Sequence, residues 1–146
     1  MGVFRIGRTT ALPVDECWLR VTDWPAHAAQ VPLTSVSVKD AGPTDVGTVF
    51  VARSGIGRLG FDDPMEVVRW EPPVGSRSGR CRLVKRGRVI TGWAEIEVRA
   101  VGEGSAVVWV EELHFAVLPA PLDRLVAGVG RVVFGRALDG LLTRKR

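Results

Sequence analysis

The order of the predicted elements constrains the fold of this chain more than any other feature. Pro13 to Pro32 is the only helical-looking segment between an extended N-terminal run and a long series of strand-like segments. A second helix is predicted only near the far end, from Pro121 to about Thr143. Strand, short helices, many strands and a long helix together predict one sheet packed on a terminal helix. Such packing leaves room for a ligand between the two.

Apolar alternation and Gly or Pro breaks predict the individual strands. The first strand is predicted at Val3 to Thr9, and a helix that starts at Pro13 breaks at Asp23 to Pro25. The later strands are predicted at Leu33–Lys39, Val46–Ser54, Pro64–Glu71, Gly79–Val84, Arg88–Ala100 and Ser105–Val117. With 146 residues and no repeat or linker, the chain is predicted to form a single α+β domain, residues 1–146.

Two tight turns predict which side chains share a face of the sheet. If Arg86–Gly87 is a two-residue turn, Leu83 lies opposite Ile90; if Glu103–Gly104 is another, Ile96 lies opposite Glu111. Both registers give an apolar inner face that consists of Ile90, Gly92, Ala94, Ile96, Val98 and Ala100. They give an outer face that carries Arg80, Arg82, Trp93, Glu95, Glu97 and Arg99. The small residues of the inner face predict space above the sheet.

The last helix has two apolar faces at a period of about 3.6 residues. The larger one is predicted to face the sheet and consists of Leu122, Leu125, Val126, Val129, Val132, Val133, Arg136, Ala137 and Gly140. The smaller one, Phe134, Leu138 and Leu142, lies nearly opposite. The sequence leaves open whether this smaller face contacts the short helices or a second copy in a homodimer.

The charged residues and cysteines indicate no special class of partner. The chain has 20 basic and 16 acidic residues, and the densest basic group is Arg77, Arg80, Arg82, Lys85, Arg86 and Arg88. Without interleaved aromatics, this group is predicted to be a solvated strand face and not a nucleic-acid site. Cys17 and Cys81 lack metal-site spacing and are predicted to be small buried residues.

Targeting and cofactor signals are weak. No apolar run is long enough for a membrane span and no signal peptide is recognised, so we expect a cytoplasmic protein without stable membrane insertion. The segment GIGRLG, Gly55 to Gly60, matches a dinucleotide pattern, but a strand is predicted after it where that pattern needs a helix. Asp62, Asp63 and Glu66 are predicted to be solvated. Neither a metal nor a cofactor is expected.

Glu111 is the leading candidate for chemistry. The predicted register places it on the inner face between Trp109 and Leu113, where a bare carboxylate costs several kcal/mol unless it is paired or protonated. Arg136 is one candidate partner, and Arg53 and Arg69 are others if their strands face inward. Three interpretations stay open: a structural ion pair, a position at the rim, and a polar anchor for a ligand. His27 and His114 are far apart in sequence, and His114 is predicted to lie on the outer face.

Three segments carry a resemblance to a known family: ALPVDECWLRVTDWPAHAAQVP, VVRWEPPV and GEGSAVVWVEELHF. Their order and spacing resemble the START-like superfamily, known as SRPBCC, which includes polyketide cyclases and dehydrases, lipid-transfer proteins and birch-pollen-allergen-like proteins. The resemblance implies a helix-grip fold, in which a curved seven-stranded antiparallel sheet grips the C-terminal helix and two short helices close one end. It also implies a cavity for an apolar or amphipathic molecule, but no particular reaction.

The sequence thus predicts binding of a hydrophobic or amphipathic small molecule, such as a lipid, a quinone or a polyketide-like aromatic. The predicted binding residues are Ile96, Val98, Trp109, Glu111, Leu113, Phe115, Val129, Val133 and Arg136. One alternative is a cyclase or dehydrase with Glu111 as its acid or base. Another is an interaction module that uses the Phe134, Leu138 and Leu142 face. Binding is favoured over catalysis because the predicted inner face is mostly apolar and the chain has neither Tyr nor Asn.

Overall fold

The computed structural model of the protein describes residues 2–31, 34–38, 42–56, 59–116 and 118–143. Its elements in chain order are β1 (Val3–Thr10), α1 (Val14–Val21), α2 (Trp24–Gln30), β2 (Thr34–Val38), β3 (Val49–Ile56), β4 (Leu59–Glu71), β5 (Gly79–Lys85), β6 (Ile90–Val101), β7 (Gly104–Phe115), a 3-10 turn (Ala120–Leu122) and α3 (Asp123–Thr143). Within these residues the strands form a seven-stranded antiparallel, curled open sheet in the order β1-β7-β6-β5-β4-β3-β2. The predicted helix-grip architecture is confirmed.

Helix α1 packs its apolar side on the sheet and on α3. Acidic residues in its first turn and Arg20 in its last suit the helix dipole, and Arg20 lies 2.9 Å from Glu16. The buried residues of α1 are Cys17, Trp18, Arg20 and Val21. Trp18 lies so close to Gly79 at the start of β5 that a Cβ there would be 2.6 Å from the indole ring. The tight fit holds this helix against the sheet.

Helix α2 follows directly and is fixed by an N-cap. The Asp23 carboxylate accepts the N–H of Ala26 at 3.2 Å, as a capping residue does. Trp24, the first residue of the helix, is 4% exposed and stacks on Phe50 of β3 with ring centroids 4.9 Å apart. Helix α2 therefore holds Trp24 and His27 against the inner side of the sheet.

The strand registers differ from the predicted ones, but the faces are correct. Leu83 pairs with Ala94 and not with Ile90. Ile96 pairs with Trp109, two residues before its predicted partner. Both displacements are an even number of residues, so every side chain keeps its face of the sheet. The inner positions Ile90, Ala94, Ile96 and Val98 are buried, whereas Ala100, at the strand end, is exposed.

Gly92 has a backbone role instead of leaving space above the sheet. Its φ is +129°, in the region that favours glycine, and an added Cβ would collide with the carbonyl group of Glu112. The space predicted above Gly92 and Ala94 therefore comes from Ala94 alone, which lines a pocket described below.

Of the predicted basic group, Arg80 and Arg82 lie on the outer face of β5, Arg77, Arg86 and Arg88 are exposed outside the strands, and one residue faces inward. Arg80 lies 2.9 Å from Glu97, and Arg82 pairs with Glu95 and stacks over Trp93 at 4.6 Å from the ring centroid. These pairs leave a charge-balanced solvated surface. The inward-facing residue is Lys85, which continues the inward alternation of β5 and is 8% exposed.

Strand β4 begins at Leu59, five residues before the predicted start at Pro64. Gly55 pairs with Gly60, and β4 continues after Gly60 as a strand, as predicted, where the dinucleotide pattern needs a helix. Residues 57 and 58 of the GIGRLG segment lie outside the described residues. The prediction that Asp62, Asp63 and Glu66 are all solvated is wrong for Asp63. Asp62 is exposed, but Asp63 faces inward and is 7% exposed.

Most of the side of α3 that was predicted to face the sheet is exposed, although Ala137 of that side is buried and Val126 packs partly against the core. The buried residues of α3 are Ala127, Gly130, Gly135, Ala137, Leu138, Leu141 and Leu142. Leu125 is 65% exposed, and Val129 and Val132 are each 56% exposed. Small residues face the sheet because the helix lies very close to it: a Cβ on Gly130 would be 2.9 Å from the Phe4 ring.

This orientation buries the face predicted to meet a protein partner. Leu138 and Leu142 are 0% and 9% exposed, and Phe134 stacks on Phe4 with centroids 5.8 Å apart. Helix α3 contacts α1 and α2, so contact with the short helices is the correct alternative. None of the helices in the described ranges is long and apolar enough to cross a membrane. Cys17 and Cys81 are free and buried, as predicted.

Candidate ligand-binding pocket

A pocket of about 200 Å³ lies between the inner face of the sheet and α2. Its apolar lining consists of Trp24, Val31, Val36, Phe50, Ala52, Phe61, Met65, Leu83, Ile90, Ala94, Ile96, Trp109, Leu113, Phe115 and Phe134. Its polar lining consists of His27, Thr34, Ser54, Asp63, Lys85 and Glu111. Within its described length, α3 contributes only Phe134, so the pocket lies farther from this helix than the sequence predicted.

Aromatic rings form much of the pocket wall. Trp109 of β7 lies 5.4 Å from Phe134 and 5.1 Å from His27, measured between ring centroids. At the opposite side, Phe61 and Phe115 meet edge to face at 6.1 Å. Such ring pairs pack in the geometry that aromatic side chains prefer. They offer flat apolar surfaces to a ligand.

Glu111 lies inside, between Ala94 of β6 and Phe4 of β1, and is 3% exposed. Its Oε1 accepts a hydrogen bond from the Trp109 Nε1–H at 3.2 Å. Its Oε2 has no hydrogen-bond partner in the described part of the chain. Burial raises the pKa of Glu111, and the opposing effects of the Lys85 charge and the Trp109 hydrogen bond are smaller. This environment favours the neutral carboxylic acid.

A second carboxylate, Asp63, forms a buried ion pair with Lys85. The Lys85 Nζ lies 2.7 Å from Asp63 Oδ2, and the two side chains are 4% and 9% exposed. The same Nζ lies 3.6 Å from the Met65 sulfur. Asp63 Oδ1 has no hydrogen-bond partner among the described residues. Both charges act on Glu111, so Glu111, Asp63 and Lys85 are electrostatically coupled.

His27 is fixed from the other side of the pocket. Its Nε2–H donates to the Val21 carbonyl at 2.5 Å, which leaves Nδ1 as the unprotonated nitrogen of the neutral ring. Burial lowers the pKa of His27, so the neutral form is favoured. Its ring packs against Trp24 with centroids 5.5 Å apart. At the pocket edge, the Thr34 and Ser54 hydroxyl groups lie 3.0 Å apart.

The pocket includes part of the predicted binding set. The residues that the structure brings together there are Ile96, Trp109, Glu111, Leu113 and Phe115. Val98 is buried in the core away from the pocket, Val133 lies on the outer side of α3, and Val129 and Arg136 are exposed. The placement of the three α3 residues, Val129, Val133 and Arg136, follows from the orientation of that helix.

The predicted partners of Glu111 also lie elsewhere. Arg53 pairs with Asp62 at 3.0 Å on the exposed side of β3, and Arg69 pairs with Glu71 at the surface. Trp109, and not an arginine, donates a hydrogen bond to Glu111, and the Lys85 charge acts on Glu111 without a direct contact being present among the described residues. The predicted outer position of His114 is correct, and its Nδ1 lies 3.1 Å from Asp123 Oδ1.

Sequence reasoning missed Asp63, Lys85, His27 and Trp24. A signal for the first two was present, because Asp63 alternates with Phe61 and Met65, and Lys85 extends the alternation of Cys81 and Leu83. The two α2 residues gave no comparable signal in so short a helix. Within the described ranges, no group of His, Cys, Asp and Glu side chains could hold a metal ion.

Comparison with known proteins supports the fold at the level of structure. No protein-family model matches the chain, and no curated protein matches it. Among solved structures, TTHA0849 from Thermus thermophilus has a TM-score of 0.73 and 16% identity, over 95% of this chain and 93% of the other. The Zhui aromatase/cyclase from Streptomyces sp. R1128 has a TM-score of 0.68 and 15% identity, over 96% and 90%.

The structure of Ara h 8.0201 has a TM-score of 0.63 and 14% identity, over 97% of this chain and 98% of the other. All three cover nearly the whole of both chains. The helix-grip fold that the resemblance implied is thus confirmed. At these identities the likeness concerns the fold alone.

Proposed function

We propose that the protein binds a small amphipathic molecule in this pocket, with the apolar part of the ligand against the aromatic wall and its polar group beside Glu111. The supporting observation is the composition of the lining: the pocket is largely apolar, and the Asp63–Lys85 ion pair and Glu111 are buried charged or ionisable groups within it. An apolar enclosure with a few placed polar groups is the usual composition of a small-molecule site. The helix-grip neighbours include an aromatase/cyclase, whose fold this chain shares.

The volume limits the size of the ligand. An apolar cavity of roughly 150 Å³ holds a benzene molecule, whereas sites for drug-sized ligands are roughly 300–1,000 Å³. At about 200 Å³, this pocket suits a compact ring system or a short aliphatic chain. Of the predicted ligand classes, a small quinone or polyketide-like aromatic fits within it, whereas a lipid with two acyl chains is too large.

Native mass spectrometry of protein purified from its own host tests the proposal, because a retained ligand adds its mass to the chain. A matched pair of variants then locates the site. Ala94→Leu fills the pocket, while Ala100→Leu adds the same atoms at an exposed position on the same strand. We expect the first variant to lose the ligand and the second to keep it. Equal retention by both, with both folded, would place the ligand elsewhere.

A cyclase or dehydrase is the second candidate. It is supported by one observation, the buried Glu111 carboxyl in the pocket, whose pKa burial raises in the direction that suits a general acid. The pocket volume argues against it, because an extended poly-ketone chain needs more than about 200 Å³. Turnover of a short poly-ketone substrate that disappears in Glu111→Gln, with binding retained, would favour this candidate.

The other two predicted partners, a second copy of the chain and a different protein, have less support than a small molecule. The homodimer and the interaction module both depended on Phe134, Leu138 and Leu142, and the latter two are buried while Phe134 faces the pocket. We therefore propose neither at that face. A cytoplasmic location and the absence of nucleic-acid binding stay predictions.

A further inference from the structure

Two carboxylate oxygens line the pocket without a hydrogen-bond partner in the described ranges: Glu111 Oε2 and Asp63 Oδ1. The residues that carry them are 3% and 7% exposed. They lie on strands β7 and β4, which β6 and β5 separate in the sheet, and both residues line the same pocket. Because an unsatisfied buried polar atom is destabilising, ligand groups that hydrogen-bond to these oxygens would gain affinity.

The two oxygens require different partners. Asp63 is paired with Lys85 at 2.7 Å, so its charge is compensated and its free Oδ1 can only accept a hydrogen bond. Glu111 makes no ion pair within the described residues, and its Oε1 already accepts the Trp109 N–H. A buried carboxyl without a paired cation retains its proton. With Oε1 as the acceptor, that proton resides on Oε2, which becomes a hydrogen-bond donor.

We propose that the pocket selects ligands with neutral hydroxyl groups, which can accept a hydrogen bond from Glu111 and can donate one to Asp63. This inference rests on the proposed binding function and specifies the ligand class as compact alcohols and phenols. A hydroxyl oxygen donates and accepts at once. A ketone or ether only accepts, an ammonium only donates, and a carboxylate places a second negative charge near Asp63.

A set of naphthalene probes of similar shape tests this selectivity at neutral pH. The set comprises naphthalene, naphthol, methoxynaphthalene, naphthylmethylamine and naphthoate, with affinities measured by fluorescence titration or calorimetry. We expect naphthol to bind about tenfold more tightly than naphthalene or the methyl ether, since net hydrogen bonds of ordinary strength give a factor of that order. The cation and the anion should bind more weakly than naphthol.

Variants identify the residues responsible. Glu111→Gln keeps an acceptor for Trp109 and a donor toward the ligand, so it should retain the preference for naphthol over methoxynaphthalene. Glu111→Met removes the donor at similar volume and should abolish most of that preference. The double variant Asp63→Leu/Lys85→Met removes the acceptor without leaving a charge unpaired, and should also reduce the preference. Circular dichroism and thermal unfolding establish which variants are folded.

The wild-type probe series decides the inference even if a variant fails to fold. Equal binding of naphthol and its methyl ether, or tighter binding of the cation or the anion, would overturn the hydroxyl selectivity while leaving the binding function intact. Equal binding of naphthol and naphthalene would also overturn it. If no probe binds, including naphthalene, the proposed function itself fails and the inference fails with it.

Discussion

Replacing Glu111 with Gln should change how the stability of this protein depends on pH. Burial raises the pKa of Glu111 above its ordinary value of 4.5. Above that value the unfolded chain releases the proton while the folded protein still holds it. The folded state then binds more protons than the unfolded state, so wild-type stability falls as the pH rises.

The magnitude follows from proton linkage. Below about pH 4.5 both states are protonated, and the contribution of the neutral buried carboxyl is fully present. Above it, the free energy of unfolding decreases by about 1.4 kcal/mol per pH unit, until the pH exceeds the folded pKa. Gln lacks this titration and still offers an oxygen to the Trp109 N–H, which bonds to Glu111 at 3.2 Å in the wild type. The Gln variant should therefore gain stability over the wild type at that rate as the pH rises.

Urea unfolding monitored by tryptophan fluorescence, repeated from about pH 4 to about pH 8, measures the difference. Glu112→Gln is the matched control, because it removes a carboxylate from the outer-facing neighbour on the same strand. Parallel wild-type and Glu111→Gln curves would refute the reasoning. A Gln variant that becomes progressively less stable with rising pH would show that Glu111 is charged and held by Lys85.

Three further predictions concern packing and burial. Lys85→Met should lower the free energy of unfolding by about 3–5 kcal/mol because Asp63 loses its buried counter-ion. In urea unfolding, the double variant with Asp63→Leu should recover most of this loss. A Lys85→Met variant as stable as the wild type would contradict the pairing. Gly130→Ala should destabilise the protein by about 1–3 kcal/mol because the new Cβ would lie 2.9 Å from the Phe4 ring. Gly128→Ala should stabilise the helix by up to about 1 kcal/mol, since nothing lies within 4 Å of its Cβ position. The reverse order of melting temperatures would contradict the placement of α3. Burial raises the pKa of Cys17 to about 11 and that of Cys81 to about 12, so neither thiol should react with a thiol reagent near neutral pH until the protein unfolds, and rapid labelling of folded protein would be inconsistent with their burial.

The inner and outer faces of the sheet could be predicted from the sequence because alternate residues of a strand lie on opposite faces. Turn residues suggested the wrong partners for Leu83 and Ile96, yet both errors were even, so the inner face was correct. Glu111 was placed inside for the same reason. The exact register depends on loop geometry, which the turn residues alone did not determine.

The orientation of α3 could not be obtained from apolar periodicity. Both sides of this helix carry apolar residues, and the Val-rich side appeared the stronger candidate for the core. The chain instead packs the side with Ala127 and Gly130, because small residues allow the helix backbone to approach Phe4 and Leu113. Hydrophobicity scales rank valine above glycine, whereas close packing at this contact requires the opposite order.

The buried ion pair between Lys85 and Asp63, which was not predicted from the sequence, is better explained by function than by stability. Lys85 and Asp63 occupy inward positions of alternating strands, where apolar residues of similar volume would be about as stable or more so. Stability alone therefore does not explain why a charged pair lies there. Asp63 Oδ1 lines the same pocket as Glu111 Oε2, and neither oxygen has a hydrogen-bond partner among the described residues. Ligand hydroxyl groups that bond to these oxygens would explain the polar residues, the apolar wall around them and the small volume together.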